Sequence, residues 1–290
     1  MDNFYLIDKP LEISSFDIIR KLRKKFQIKK MWHTWTLDPL ATGGMLIALW
    51  SYTKLIPYLE KETKEYEFII NLDWTTTSLD LAEKIEYISE EEQKKAKINI
   101  SKNQIQKLIN NYFIWEITQI PPKYSAIKID WKRAYALARQ WKEVKMKSRK
   151  ITIFENEIIS FNYPELKLRA KVSAGTYIRT IAWDLWEKLW TGWYLSYLRR
   201  IKIWKLDISD AIKLEEISID DSILVKKVLD KNYFLENFDE NHQKRLDDWL
   251  ERIAKFDLEI DKPYFIFDWK KVTNVVQYDW KILKPLKKII

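Results

Sequence analysis

The apolar positions follow two periods along the chain. Phe4 to Ile7 is a short apolar run that stops at Asp8-Lys9-Pro10 and reads as a strand. Ser14 and Ser15 then stand where helix caps belong, with Ile19, Leu22 and Phe26 at helical spacing behind them. Met45 to Leu49 reads as a strand and Thr53 to Leu59 as a short helix, and Tyr66, Phe68, Ile70 and Leu72 alternate as one face of a strand. Thr75, Thr76, Thr77, Ser78 and Asp80 read as a polar loop. Ile105, Leu108, Ile109 and Tyr112 predict a helix, whereas Trp115 to Lys128, broken by Pro121-Pro122, reads as irregular. A helix over Lys132 to Gln140 follows, then strands at Ile151 to Phe161 and Leu166 to Val172, a helix over Tyr177 to Leu189, and a strand over Tyr194 to Ile203. This mixture predicts an α+β or mixed α/β core. Beyond about residue 208 come short acidic helices, one at Asn241 to Ile253, and then three short strands within Tyr264 to Lys284.

At 290 residues and 47% hydrophobic, the chain can build one large domain, or one large and one small. No apolar run of about 18 residues occurs, and charge appears within the first few positions, so a cytoplasmic protein without a membrane span is expected. The absence of cysteine excludes disulfides and thiolate metal sites, and the two histidines, His33 and His242, lie too far apart in sequence to suggest a zinc cage. The expectation is chemistry without metal or cofactor, resting on carboxylates, hydroxyls, aromatics or cations. A net charge of +9 favours a polyanionic partner. Asp17 to Lys30 carries seven cations to one anion and could lie along phosphates, although the pattern alone fits an ordinary solvated helix face better.

Fifteen Trp and four Gly invert normal usage. Together they come close to the share, roughly 7%, that glycine ordinarily holds. Asp-Trp-Lys occurs three times, at 130–132, 268–270 and 279–281, each beside a strand-like run. With Gly in place of Trp, each becomes Asp-Gly, a strong hairpin signal because the turn needs positive φ. The expectation is that most or all of these tryptophans stand at glycine positions, as if a codon the source reads as Gly, UGA being the candidate, had been rendered Trp. Trp183, Trp186 and Trp190, spaced i, i+3, i+7, also fit a helix core stripe.

Residues 32 to 44 read Trp-His-Thr-Trp-Thr-Leu-Asp-Pro-Leu-Ala-Thr-Gly-Gly, in which Pro39 biases Asp38 toward an extended or turn conformation. Alone, Asp38-Pro39 fits a helix cap or turn better than a catalytic site. With glycine at 32 and 35, however, the run closely resembles the catalytic loop of bacterial tRNA pseudouridine-55 synthases, the TruB family. Other segments of the resemblance follow in order: Leu6 to Pro10, Ser14 to Asp17, Lys64-Glu65-Tyr66, Ile120 to Lys128, Gly175 to Thr180, and Tyr194 to Arg200. It covers residues 4 to about 205.

The resemblance implies an α+β fold with a mixed, mainly antiparallel sheet flanked by helices, and a small C-terminal PUA-like β module. It implies a catalytic domain at 1–230, with an RNA-binding insertion at about 113–150, and the module at 231–290. Asp38 would be the catalytic carboxylate that isomerises a T-loop uridine, with Arg179 paired to it. Tyr66 would stack on the target base, Tyr177 would lie beside the reacting ring, Leu198 would make an apolar contact, and His33 would occupy space beside flipped nucleotides. Lys9 and Pro10 would support the loop. Lys123, Lys128, Arg133, Arg199, Arg200 and the cations of the 20s would contact phosphates. The implied partner is the tRNA T stem-loop, with no membrane, no obligate protein partner and a monomeric state. Alternatives are a synthase acting on another RNA, such as the guide-dependent rRNA type, and a non-catalytic tRNA-folding protein. Thr76-Thr77-Ser78-Leu79-Asp80 departs from the family's Thr-Asp-Thr-Leu-Asp at its second position, so no catalytic role is assigned there.

Overall fold

A computed structural model describes residues 2–59, 63–80, 85–87, 89–122, 125, 128–129, 132–133, 146–189, 193–229, 234–235, 262–268, 271–279 and 282–289. The chain begins with β1 (Phe4–Lys9), α1 (Ser15–Phe26), β2 (Met31–His33), β3 (Thr42–Leu49) and a 3-10 segment (Trp50–Tyr58). Next come β4 (Lys64–Asn71), β5 (Trp74–Asp80), β6 (Ile85–Tyr87), α2 (Glu90–Asn99), α3 (Lys102–Tyr112), β7 (Trp115–Gln119), β8 (Lys128–Ile129) and β9 (Lys132–Arg133). The long strands β10 (Arg149–Asn162) and β11 (Glu165–Val172) lead to α4 (Ile178–Leu189), β12 (Trp193–Ile203), β13 (Leu206–Asp207) and β14 (Ile212–Lys213). A single helical turn, Val225–Val228, precedes β15 (Phe234–Leu235), β16 (Pro263–Asp268), β17 (Lys271–Asp279) and β18 (Ile282–Lys288).

The main sheet runs β14-β1-β3-β12-β4-β11-β10-β7. Its pairs are antiparallel apart from β1 with β14 and β12 with β3 and β5. The alternation in β4 turns Tyr66, Phe68 and Ile70 inward, where they meet Leu166, Leu168 and Ala170 of β11 and Ile178, Ile181, Ala182 and Leu185 of α4 in one core. Each fully buried aliphatic or phenyl side chain there contributes about 1.5–3 kcal/mol. On α1, Ile18, Ile19 and Leu22 face a second core while the cations face solvent, and Ser14 caps the helix reciprocally with Asp17. The second sheet, β15-β16-β17-β18, packs Phe265, Val272, Val275 and Ile289 against Tyr52 and Leu55 of the 3-10 segment. Lys54 Nζ ties the two by donating to the carbonyls of Lys288 and Ile289 at 3.0 and 2.8 Å.

Several local expectations change. The Thr-rich stretch expected as a loop is β5, which pairs with β6 and β12, since β-branched residues fit a pleated surface once partners are present. Trp115–Gln119, expected to be irregular, pairs with β10 as the edge of the main sheet. The short helix at 53–59 is 3-10 and starts at Trp50. Lys132–Arg133 is a strand paired with Lys128–Ile129, and residues 134–145, like 241–253, lie outside the described residues. The helix Glu90–Asn99 has no apolar stripe for the sequence reading to detect. No helix among the described residues is long and apolar enough to cross a membrane.

Backbone conformation singles out the tryptophans. Trp35, Trp50, Trp115 and Trp204 have φ of 44°, 49°, 65° and 50°. The left-handed region costs an L-residue roughly 1–2 kcal/mol, and a bulky side chain there is an outlier.

Candidate active site

The loop between β2 and β3 carries Asp38 and is held from both ends. At its start, Thr34 is buried and its amide and hydroxyl donate to the Leu46 carbonyl at 2.9 and 3.3 Å. At its end, Gly43 has φ 103° and lies against β12, where an added Cβ would stand 2.2 Å from the Arg200 carbonyl oxygen. Only glycine fits this close parallel approach of β3 to β12. Within the loop the Asp38 carbonyl accepts from the Ala41 amide at 3.0 Å, closing a turn around Pro39. Just before it, Ser15 Oγ donates to the Leu37 carbonyl and accepts from the Leu37 amide, at 2.9 and 2.8 Å. Of the two serines expected as caps, Ser14 therefore caps α1 and Ser15 fastens the loop.

Two buried cations grip the loop by its carbonyls. Lys9 Nζ donates to Pro39 and Ala41 at 3.0 and 2.6 Å, and to Pro10 at 2.9 Å. Burial lowers its ammonium to about 8, with nearby Asp38 pulling upward and Arg200 adding to the depression. Arg200 Nε donates to the Gly44 carbonyl at 2.7 Å and Nη2 to the Trp35 carbonyl at 3.0 Å. This corrects the expectation that Arg200 contacts phosphates, because its side chain is 1% exposed and is used inside the protein. Arg199 is likewise engaged, with a bidentate pair to Asp8 at 3.0 and 2.6 Å. Lys123 lies outside the described residues.

Arg179 reaches the loop from the first turn of α4. Its Nη2 stands 3.0 Å from Asp38 Oδ2, with Arg179 only 5% exposed and Asp38 37% exposed. The N-terminus of α4 is fixed by Gln119 of β7, whose side chain accepts from the Tyr177 amide at 2.8 Å and donates to the Tyr177 carbonyl at 3.1 Å. Arg149 lies over the Tyr177 ring, 4.8 Å from its centroid, and donates to the Gly175 carbonyl. Tyr66 is almost buried on β4, its backbone paired with Arg200 and with Ala170. Leu37, Ala41, Tyr66 and Ile178 share one apolar cluster, with Leu198 packed on it. The Leu198 carbonyl also accepts from Thr42 Oγ1 at 3.5 Å. His33 lies at the end of β2, its ring stacked on Trp32 with centroids 5.6 Å apart and planes 12° from parallel. Gln119 and Ser15 are the supporting residues that sequence reasoning missed. Each acts across a long separation that no local pattern reports.

The result is a part-exposed carboxylate held beside a buried guanidinium, with an apolar floor and aromatic rings nearby. Among the described residues no group of three or more His, Asp or Glu side chains is placed to hold a metal ion. The same overall fold occurs in the crystal structure of a Cbf5-Nop10-Gar1 complex, with TM-score 0.66 and 16% identity, covering 99% of this chain and 85% of that one. It occurs again, at 0.66 and 15%, in an H/ACA RNP bound to a substrate RNA containing 2′-deoxyuridine. These likenesses define the fold.

Sequence comparison narrows the class. The N-terminal domain of the TruB family pseudouridylate synthases matches residues 23–178, and the chain belongs to that family. The tRNA pseudouridine synthase B of Endomicrobium trichonymphae is 40% identical over 228 residues, covering 79% of this chain and 96% of that protein. Those of Clostridium tetani and Aquifex aeolicus are 38% and 37% identical over 218 residues, covering 75% and 74% of this chain and 73% of each relative.

Proposed function

We propose that this pseudouridine synthase acts on tRNA, isomerising the T-loop uridine at position 55 with Asp38 as the catalytic carboxylate. The observation that carries the reading is the Asp38–Arg179 pair, in which a buried cation orients a carboxylate that solvent can still reach. The names of the relatives supply the tRNA. In the reaction the N1–C1′ glycosidic bond breaks and a C5–C1′ bond forms, the C5 hydrogen leaves as a proton and N1 gains one. Atoms balance with no redox step, so a carboxylate beside the sugar and base suffices.

The uridine must leave its stack first, which costs a few kcal/mol. Stacking on Tyr66 and Tyr177, worth about 1–3 kcal/mol per base, offsets much of that. Leu198 adds apolar contact, and His33 takes up space beside the flipped nucleotides. The exposed Lys21 and Lys24 lie on α1, whose first residue, Ser15, anchors the loop, and they supply phosphate contacts. Residues 1–230 form the catalytic domain, with an RNA-binding insertion at about 113–150. Residues 231–290 form a PUA-like module, and the enzyme acts as a monomer without a protein partner.

The test is an unmodified tRNA transcript labelled with tritium at uridine C5, incubated with the protein alone. Tritium release that maps to position 55 is expected. Release only from an rRNA fragment with a guide RNA, or binding and refolding of tRNA without any release, would assign the fold to a different task.

A further inference from the structure

The tryptophans, which the proposed reaction leaves unused, are placed by their backbones. Among the described residues six non-glycine positions have positive φ, and four of them are Trp35, Trp50, Trp115 and Trp204. The other two are polar: Gln27 forms the left-handed cap of α1, and Glu12 lies in the turn after β1. Any non-glycine residue is uncommon in this region, and a large aromatic there is an outlier.

Trp204 shows the pattern in full. Ile203 pairs with Leu206, so Trp204 and Lys205 are the two residues of a hairpin loop, and φ is 50° at the first of them. That is the position at which a two-residue hairpin calls for glycine. The same Trp-Lys dipeptide follows Asp268 and Asp279, where the flanking strands pair Asp268 with Lys271 and Asp279 with Ile282. Ile129 opposite Lys132 brackets Asp130-Trp131 in the same way. The connecting residues 130–131, 269–270 and 280–281 lie outside the described residues.

The loop that carries Asp38 bears a second kind of mark. Trp35 combines φ 44° with a buried indole Nε1 that has no hydrogen-bond partner among the described residues. Trp32, 43% exposed, lies flat against one face of His33 and edge-on to Phe16. Trp183 and Trp186 differ in backbone conformation: they lie within helical α4, their rings 4.7 Å apart and packed against the main core, where nothing calls for positive φ.

We infer that the protein made in its source carries glycine at positions 35, 50, 115 and 204 and, through the same codon, at 32. The working loop around Asp38 then has no indoles, and the face of His33 that Trp32 covers is open to a nucleobase. The nucleobase part rests on the tRNA reading above, and the glycine part does not.

Peptide mass spectrometry of the protein from its source organism, read with the gene, tests the glycine part. UGA codons and glycine-mass peptides at 35, 50, 115 and 204 are expected, and UGG codons or tryptophan-mass peptides there would overturn it. Two recombinant chains test the backbone argument and the open face. A chain with Trp35, Trp50, Trp115 and Trp204 all changed to Gly is expected to melt several degrees above the chain as it stands, and an equal or lower melting temperature counts against the strain. Adding Trp32→Gly is expected to tighten T-arm binding several-fold and to raise pseudouridine formation, and unchanged binding would refute the open His33 face. Glycine-mass peptides from a protein that forms no pseudouridine would sink the proposed reaction and leave the glycine assignment standing.

Discussion

Arg179 Nη2 lies 3.0 Å from Asp38 Oδ2, from a side chain so buried that it cannot follow the carboxylate if the loop shifts. The pair is therefore a positional lock as much as an electrostatic one. Arg179→Lys keeps the charge but loses the planar fork that fixes the carboxylate's direction. A displacement of about 1 Å at a reacting group costs on the order of a hundredfold in rate. Single-turnover kinetics with T-arm RNA should show that loss in the chemical step while Kd changes by no more than a few-fold. A loss confined to Kd would mean that Arg179 serves binding instead.

Lys9 makes the loop's support depend on pH. Its folded-state value, about 8, lies below the ordinary 10.5 because burial disfavours the ammonium. Between those two values the unfolded chain binds more protons than the folded one, so this group makes stability rise with pH across that window. Below about 8 the buried charge is a constant cost, offset by its three carbonyl bonds. Urea unfolding at several pH values, compared with Lys9→Met, should show an upward slope between about 8 and 10.5 that the variant lacks. A slope of the opposite sign would contradict the burial account.

Gln119 closes a two-way bridge to the backbone of Tyr177 just ahead of Arg179. Gln119→Leu leaves the part-buried Tyr177 amide without that partner, at about 1–3 kcal/mol, while the Tyr177 carbonyl keeps the amides of Thr180 and Ile181. Thermal unfolding should report the loss. Activity should fall more than stability alone explains, because the start of α4 carries both Tyr177 and Arg179. Full activity in a folded Gln119→Leu protein would remove the bridge from the account.

These cases mark what the sequence could and could not reveal. The alternation Tyr66, Phe68, Ile70 appears directly as a buried strand face, and the spacing on α1 appears as a buried stripe, because both are local periodicities. Resemblance alone pairs Asp38 with Arg179, and the folded chain places them in contact across more than a hundred intervening residues. Arg200 escapes a sequence reading because a basic residue in a strand reads as exposed, and only the approach of β12 to β3 puts its guanidinium among loop carbonyls. The strand at 74–80 escapes for a similar reason: threonine and serine suit a loop until a neighbouring strand supplies pairing.

The cationic face of α1 gives a separate electrostatic prediction. Replacing Lys21 and Lys24 with Ser should weaken tRNA binding and lower the slope of log K against log salt by about 0.7–0.9 for each phosphate left without its cation. Filter binding over a salt series measures this, and an unchanged slope would place the phosphates elsewhere.

The most direct measurement is made on Asp38→Asn, with T-arm binding and tritium release from C5-labelled uridine followed on the same preparation. The substitution keeps the shape of the side chain and removes the negative charge that faces Arg179. The predicted result is binding within a few-fold of the parent protein and no tritium release above background. Tritium release from the variant at a rate near the parent's would show that Asp38 is not the catalytic carboxylate.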